Sequence, residues 1–403
     1  MLRRLVVSLG LACALGACQA DSTPSDGPPV IDPAGTPEGA GGPAPTTTPP
    51  TSTADARWVM AYYAGYERSL LPAADVEWEN LTHLAVGAAL PKADGTLDTT
   101  YAIDPVKGPA MAKELVELAH GRGKKALVMV GGEGAHDGWV AAAAEKKLPT
   151  LVAALVALRK EVGFDGYDLD WEPVLPADEP SLLALVRALK KADPNALMTL
   201  PVNWITTGTA PVSGVYAQLA ALVDRLNIMT YGMARDWPGW KAWHSSALDG
   251  AGPDTPSSVK SSVDAYLAAG VPAAKLGVGA GLYGTCWGGG VSAPGQAVGS
   301  SRVVANDHVM SYRAIVEGYL KPAARKWDSV ASSPYLAFSA PTGAQKCTLV
   351  SYEDEESVRA KAAYVKSAGL GGVIVWTLNQ GHLPSQPAGK RNPMMRALSD
   401  GLR

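Results

Sequence analysis

Eight apolar, strand-like runs recur along the chain, and helical patterns fill most of the intervals between them. The runs are RWVMAYYAGY (57–66), LTHLAVGAAL (81–90), KALVMVGG (125–132), GYDLDW (166–171), ALMTLPVN (196–203), DRLNIMTYG (224–232), KLGVGAGLYG (275–284) and GGVIVWTL (371–378). PAMAKELVELAHGRG follows the second run, LPTLVAALVALRKEVG the third and EPSLLALVRALKKAD the fourth; TPSSVKSSVDAYLAAG precedes the seventh and SVRAKAAYVKSAG the eighth. Several of these stretches stop at glycine, as a helix C-cap does. Strand–helix alternation repeated eight times predicts a parallel sheet closed into a (β/α)8 TIM barrel, an α/β fold. An open doubly wound sheet is the rival. It usually carries a glycine-rich phosphate turn after its first strand, and YYAGYERS is not one. The chain has 403 residues, 47% of them hydrophobic, which is enough for such a core.

One interval breaks the rhythm. Residues 285–355, between the seventh strand and the helix near Glu356, include DHVMSYRAIVEGYL and SPYLAFSAPTG and are too many for a structureless loop. They predict a small α+β insertion between strand seven and helix seven. An insertion after a barrel strand lies on the C-terminal face, where barrel active sites sit. Cys286 and Cys347 fall near its two ends, so a disulfide between them would clamp its root; two buried free thiols are the alternative.

The N-terminus reads as separate from the fold. Arg3 and Arg4 precede the apolar run LVVSLGLACALGA, a secretory signal too short to span a membrane. Leu15-Gly16-Ala17-Cys18 resembles the bacterial lipoprotein cleavage box, which implies that residues 1–17 are removed and Cys18 is lipidated. Ordinary cleavage after Ala17 is the alternative and would give a secreted protein. Gln19 after the cysteine leans toward outer-membrane sorting. Residues 18–56 are rich in Pro, Thr, Gly and Ala, with too little apolar surface to order themselves. At about 3 Å per residue they form a tether reaching on the order of 100 Å. The expectation is a catalytic domain over 57–403 held outside the cell as an outer-membrane or cell-surface lipoprotein, touching membrane only through its anchor. A net charge of −3 with scattered basic residues leaves no footprint for nucleic acid. A monomer is expected.

The chemistry is concentrated in GFDGYDLDWEP (163–173), which crowds Asp165, Asp168, Asp170 and Glu172 into an apolar segment. On a strand, side chains alternate. Tyr167, Leu169 and Trp171 then face the helices, while Asp168, Asp170 and Glu172 face into the barrel and rise toward its mouth. Three carboxylates so close and partly buried cannot all ionise cheaply, so at least one holds or shares a proton near neutral pH. That prepares an acid and an anion side by side. A buried structural cluster would recruit Arg or Lys, and the segment contains none. Mg²⁺ or Ca²⁺ binding is a further reading, although the alternation fits a strand and not a turned metal loop. A glycosidase acid, with aromatic residues nearby to stack on sugar rings, is the third.

DGYDLDWE matches the D-x-x-D-x-D-x-E signature of glycoside hydrolase family 18, the chitinase family, at every acidic position. KALVMVGG resembles the family's third-strand S-x-G-G segment, with Met129 where Ser is usual. NIMTYG, carrying Met229 and Tyr231, resembles its M-x-Y-D sixth strand. KLGVGAGLYG resembles the seventh-strand run ending in Tyr-Gly, and LGGVIVWTL the eighth strand with its Trp. The resemblance covers residues 58 to about 380, and the insertion is similar to the α+β domain of the deep-cleft subgroup.

The resemblance implies a retaining, substrate-assisted cleavage of β-1,4 bonds in chitin or N-acetylglucosamine oligomers. Glu172 would be the acid and base, Asp170 the partner of the substrate acetamide, Asp168 its proton-sharing neighbour and Tyr231 a donor to the acetamido oxygen. Trp376 resembles the floor under the reacting sugar. Tyr62, Tyr63, Tyr283 and Trp204 lie at or near strand ends and are candidates to line the cleft, and DWPGWKAWH (236–244) offers three more Trp. His83, His120 and His136 show no metal spacing and read as structural. No cofactor or metal is called for. An endo-β-N-acetylglucosaminidase acting on glycans or peptidoglycan, and a non-catalytic chitin-binding lectin-like protein, are the alternatives. Two departures matter: Gly232 stands where the family often has Asp after the sixth-strand Tyr, with Asp236 the nearest carboxylate that could replace it, and WTLNQG lacks the acidic pattern common after the eighth-strand Trp.

Overall fold

The computed structural model describes residues 57–299 and 302–403; the signal, Cys18 and the tether lie outside them. Strands β1 (Trp58–Ala64), β2 (His83–Pro91), β4 (Lys125–Gly132), β5 (Gly166–Trp171), β6 (Leu197–Val202), β7 (Arg225–Ile228), β8 (Leu276–Gly281) and β14 (Gly372–Trp376) pair in parallel in sequence order. β14 returns to β1, which pairs with β2, and the ring closes. The open-sheet alternative is thereby excluded. β3 (Leu97–Asp98) adds a short antiparallel hairpin to β2.

Between the strands run α1 (Lys107–His120), α2 (His136–Ala142), α3 (Leu148–Val162), α4 (Glu179–Ala192), α5 (Val215–Leu222) and α6 (Val259–Ala268). α8 (Glu355–Ser367) precedes β14, and α9 (Pro393–Leu402) closes the chain. Capping boxes start two of them. Ser258 exchanges side-chain and backbone hydrogen bonds with Ser261 at α6, and Asp354 does so with Ser357 at α8. Each satisfies amide groups that the first helical turn leaves unpaired. No helix among the described residues is long and apolar enough to cross a membrane.

Strand alternation divides the core in two. Val59, Ala61 and Tyr63 of β1, Val128 and Val130 of β4, and Tyr167, Leu169 and Trp171 of β5 join the outer layer beneath the helices. Burial of each larger side chain contributes roughly 2 kcal/mol. Met60, Tyr62, Ala85, Met129, Met229 and Ile374 fill the barrel interior. The β5 acids share that inward face, which puts charged groups over an apolar plug.

The interval between β8 and α8 holds a second sheet. β9 (Thr285–Trp287), β10 (Val303–Ala305), β11 (Arg325–Asp328), β12 (Ser333–Thr342) and β13 (Cys347–Ser351) form an antiparallel sheet in the order β10-β9-β13-β12-β11, with α7 (Tyr312–Gly318) beside it. Cys286 on β9 and Cys347 on β13 are joined by a disulfide. From the middle of α8, Lys361 Nζ lies 2.5 Å from Glu353 Oε1, both side chains being 1% exposed. Lys361 also donates to Ser246 Oγ, which ties α8 to the loop after β7.

Candidate active site

The β4–β5 register sets the acidic column. Met129 lies beside Asp168, and Gly131 beside Asp170. Only glycine fits at 131: its φ is +95°, and a Cβ there would stand 2.2 Å from the Asp170 carbonyl. Trp139 Nε1 donates to that same carbonyl at 3.0 Å, and its ring stacks on Trp171 at 5.4 Å. The backbone under the acids is therefore held from outside the barrel.

Asp168 is fully buried. Its Oδ2 accepts from the Tyr62 hydroxyl at 2.8 Å and its Oδ1 from Thr199 Oγ1. Asp170 is 2% exposed, and its Oδ1 has no hydrogen-bond donor among the described residues. Glu172 is half-buried and reaches the cleft. None of the three forms an ion pair with Lys, Arg or His among the described residues, whereas Asp165, at the opposite end of the strand, is held by Lys125 and His120.

Without a cation, burial dominates the electrostatics. It pushes the Asp168 carboxyl up to about 7, with the Thr199 and Tyr62 hydrogen bonds opposing and Glu172 adding repulsion. Burial, then the charges of Glu172 and Asp168, hold Asp170 well above the usual carboxylate range. Glu172 is raised by burial; its hydrogen bond with Asp170 opposes the shift, and Glu133 adds to it. Their shared hydrogen bond raises Asp170 and lowers Glu172, so Asp170 is the donor in it and Glu172 the acceptor. A proton held within such a column can pass from one carboxyl to the next.

Above the acids opens a cleft of about 570 Å³. Met229, Tyr231, Tyr283, Trp204 and Trp376 line it, together with Asp170 and Glu172. The run 224–232 does not stay a strand to its end. β7 stops at Ile228, and short bonds from Thr230 N to Ile228 O and from Tyr231 N to Met229 O curl the chain and carry Tyr231 toward the acids. Trp376, at the end of β14, lies 5.2 Å from the Tyr62 ring, and its Nε1 donates to Asp307 Oδ1 at 3.3 Å.

Three candidate residues, Tyr62, Asp236 and Tyr63, sit elsewhere than expected. Tyr62 does not line the cleft; it is 1% exposed beneath it and spends its hydroxyl on Asp168. Strand alternation gives the face of a residue but not its depth. Asp236 does not replace the missing aspartate: its Oδ2 accepts from the backbone N–H groups of Arg302 and Val303, at 2.6 and 3.1 Å, and so fastens the insertion. Tyr63 is also packed away, donating to the Leu71 carbonyl at 2.6 Å. Of the three Trp in 236–244, Trp243 is buried, while Trp237 and Trp240 cluster with Trp204 on the rim, at 6.1 and 6.2 Å. His83 stacks on Trp58 at 3.7 Å and His136 binds Asp178 at 3.0 Å, both away from the cleft lining.

The cleft also holds Glu133, Asn203, Arg235, Asn306, Asp307 and His308. Glu133 directly follows the paired glycines that end β4, and a carboxylate at a barrel strand end is a sequence signal for a site. Asn306–His308 come from the insertion, where no periodic pattern marked them.

The family model of glycosyl hydrolases family 18 matches residues 58–381. The chain belongs to this family. Chitinase A1 of Niallia circulans is 32% identical over 274 residues, which are 60% of this chain and 38% of that relative. Chitinase B of Serratia marcescens is 27% identical, over 69% of each chain. This chain thus spans well under half of the first relative and about two thirds of the second. In fold, the family-18 barrel is similar to the Group IV chitinase of Ostrinia furnacalis solved in complex with allosamidin, with a TM-score of 0.72, 22% identity and coverage of 86% of this chain and 98% of that one.

Proposed function

We propose that this family-18 chain is a retaining glycoside hydrolase that cleaves β-1,4 bonds between N-acetylglucosamine units with the help of the substrate's own acetamide. The observation that carries the reading is the column Asp168–Asp170–Glu172, which makes no ion pair with Lys, Arg or His among the described residues and rises from the barrel core into a cleft lined by Tyr231 and Trp376.

Glu172, whose hold on a proton is strengthened by burial, gives a proton to the glycosidic oxygen as the C1–O bond breaks. The acetamido oxygen attacks C1 and forms an oxazolinium ion, so a second enzymic carboxylate on C1 is not needed. Asp170 accepts the acetamido N–H and offsets the positive charge growing there; its unpaired Oδ1 is free for that bond. Asp168 shares the negative charge below, and the Tyr231 hydroxyl donates to the acetamido oxygen. Water then attacks C1, Glu172 takes its proton, and the sugar leaves with its configuration retained.

The five-stranded insertion, which contributes Asn306–His308 to the wall, supports a deep cleft and a linear polymer. The signal and the Cys18 motif support export on a lipid anchor, with substrate met outside the cell.

Hydrolysis of an aryl N,N′-diacetylchitobioside beside an aryl cellobioside tests the reading. Cleavage of the acetamido substrate alone is expected. Similar rates on both would overturn acetamide participation, and binding without turnover of either would favour a lectin-like role.

A further inference from the structure

The loop after β7 carries Gly232 where the family often has Asp, and it places Arg235 three residues later. The structure brings the two positions together. Gly232 has φ +63°, and a Cβ built there would stand 2.9 Å from the Tyr283 hydroxyl and 3.8 Å from Arg235 Nη2. The space that a side chain from 232 would enter is therefore already bounded by a phenol and a guanidinium.

Among the described residues lining the cleft, Arg235 is the only arginine or lysine. Glu133, Asp170, Glu172 and Asp307 make the rest of the lining acidic. Even so, no carboxylate forms a salt bridge with Arg235 among the described residues, and its Nε is buried with no hydrogen-bond acceptor. Its guanidinium lies over the Trp237 ring, with Cζ 5.9 Å from the centroid. A guanidinium carries donors and no acceptor, and a desolvated donor left unpaired is costly. The group that satisfies it must bring a hydrogen-bond acceptor, and a second cation close by is repelled strongly in a partly dry cleft.

We propose that Arg235 sets the charge preference of the cleft beside the cleavage point: it takes a carbonyl or carboxylate oxygen of the bound aminosugar and turns away a unit that carries a free ammonium group. The proposal rests on the aminosugar reading above and adds to it. The reacting unit must be N-acetylated in any case, because its acetamide is the nucleophile. Arg235 extends the demand to a neighbouring unit, so partly de-N-acetylated chains are poor substrates.

The test compares fully N-acetylated chito-oligomers with oligomers of the same length that contain glucosamine, using wild type, Arg235→Gln and Arg235→Lys, with end-group analysis of the products. Wild type is expected to favour the fully acetylated chain and to leave N-acetylglucosamine at both new ends. Arg235→Gln should lower the ratio of kcat/KM values at least about tenfold and admit glucosamine at the new non-reducing end, whereas Arg235→Lys, which keeps the charge, should preserve the preference. Gly232→Asp, which places a carboxylate against the guanidinium, should act like Arg235→Gln. An unchanged ratio in Arg235→Gln, or loss of the preference in Arg235→Lys, would overturn the proposal. The same two oligomers titrated into Glu172→Gln, with and without Arg235→Gln, give the preference as a ratio of Kd values. Binding without turnover by wild type would sink the hydrolase reading while still deciding Arg235, and failure to bind either oligomer would sink both.

Discussion

Tyr62 and Asp168, 106 residues apart in the chain, meet inside the barrel through a 2.8 Å hydrogen bond from the phenol to Oδ2. The bond joins β1 to β5 and fixes the lowest carboxyl of the acidic column, while the same phenol ring lies 5.2 Å from Trp376. One side chain thus supports both the acid and the floor of the cleft. Tyr62→Phe removes one donor to Asp168, and on the proposed mechanism kcat falls about tenfold with KM little changed. A change confined to KM would mean that Tyr62 acts on binding alone.

Asp168 also makes stability depend on pH. Its folded value is raised to about 7, against an ordinary 3.8. A raised folded value means that the native state binds the proton more tightly, so the stabilisation is complete below about pH 4 and is lost as pH rises through 7. The span is worth on the order of 4 kcal/mol. Asp168→Asn carries no such ionisation. Thermal melts should show the Tm gap moving in favour of the variant between pH 4 and 7 and levelling above 8. A gap independent of pH would contradict the burial of this carboxyl, which has no ion-pair partner among the described residues.

Trp376 and Asp307 test the contribution of the insertion. Asp307 Oδ1 accepts from Trp376 Nε1 at 3.3 Å and from Gln380 Nε2 at 2.9 Å. Asp307→Ala should raise KM for oligomers several-fold by freeing the indole, whereas Trp376→Ala, which removes the stacking surface itself, should lower kcat/KM by about 10². Equal effects of the two variants would show that Asp307 does more than hold the ring.

The barrel was legible because its signal is periodic. All eight apolar runs became strands, and the alternation within GYDLDW put Asp168 and Asp170 inside and Tyr167, Leu169 and Trp171 outside. What periodicity does not encode was missed. Tyr62 shares the inward face with the acids but lies in the layer beneath the cleft, and layer is set by strand register across the ring. Asp236 is close to Gly232 in sequence, yet the loop turns it to the amides of Arg302 and Val303. Arg235 comes from an irregular loop and Asp307 from a single 3-10 turn of the insertion, and their positions follow from long-range packing, of which a single sequence carries no direct mark.

The disulfide at the root of the insertion closes a span of 61 residues. Chain-entropy bookkeeping gives about 4 kcal/mol for a loop of that length. Cys286→Ser with Cys347→Ser should therefore lower Tm by several degrees under oxidising conditions, and reductant should lower wild type toward the double variant. Insensitivity of the wild-type Tm to reductant would show that the antiparallel sheet holds this root without the bridge.

The central claim is that Glu172 is the proton donor, and single-turnover hydrolysis of an N-acetylglucosamine oligomer by wild type and Glu172→Gln tests it most directly. The amide keeps the size of the side chain but cannot give up a proton at neutral pH. The account predicts that oligomer binding is retained within a few-fold while the cleavage rate falls by at least about 10² to 10⁴. Cleavage by Glu172→Gln at the wild-type rate would contradict it.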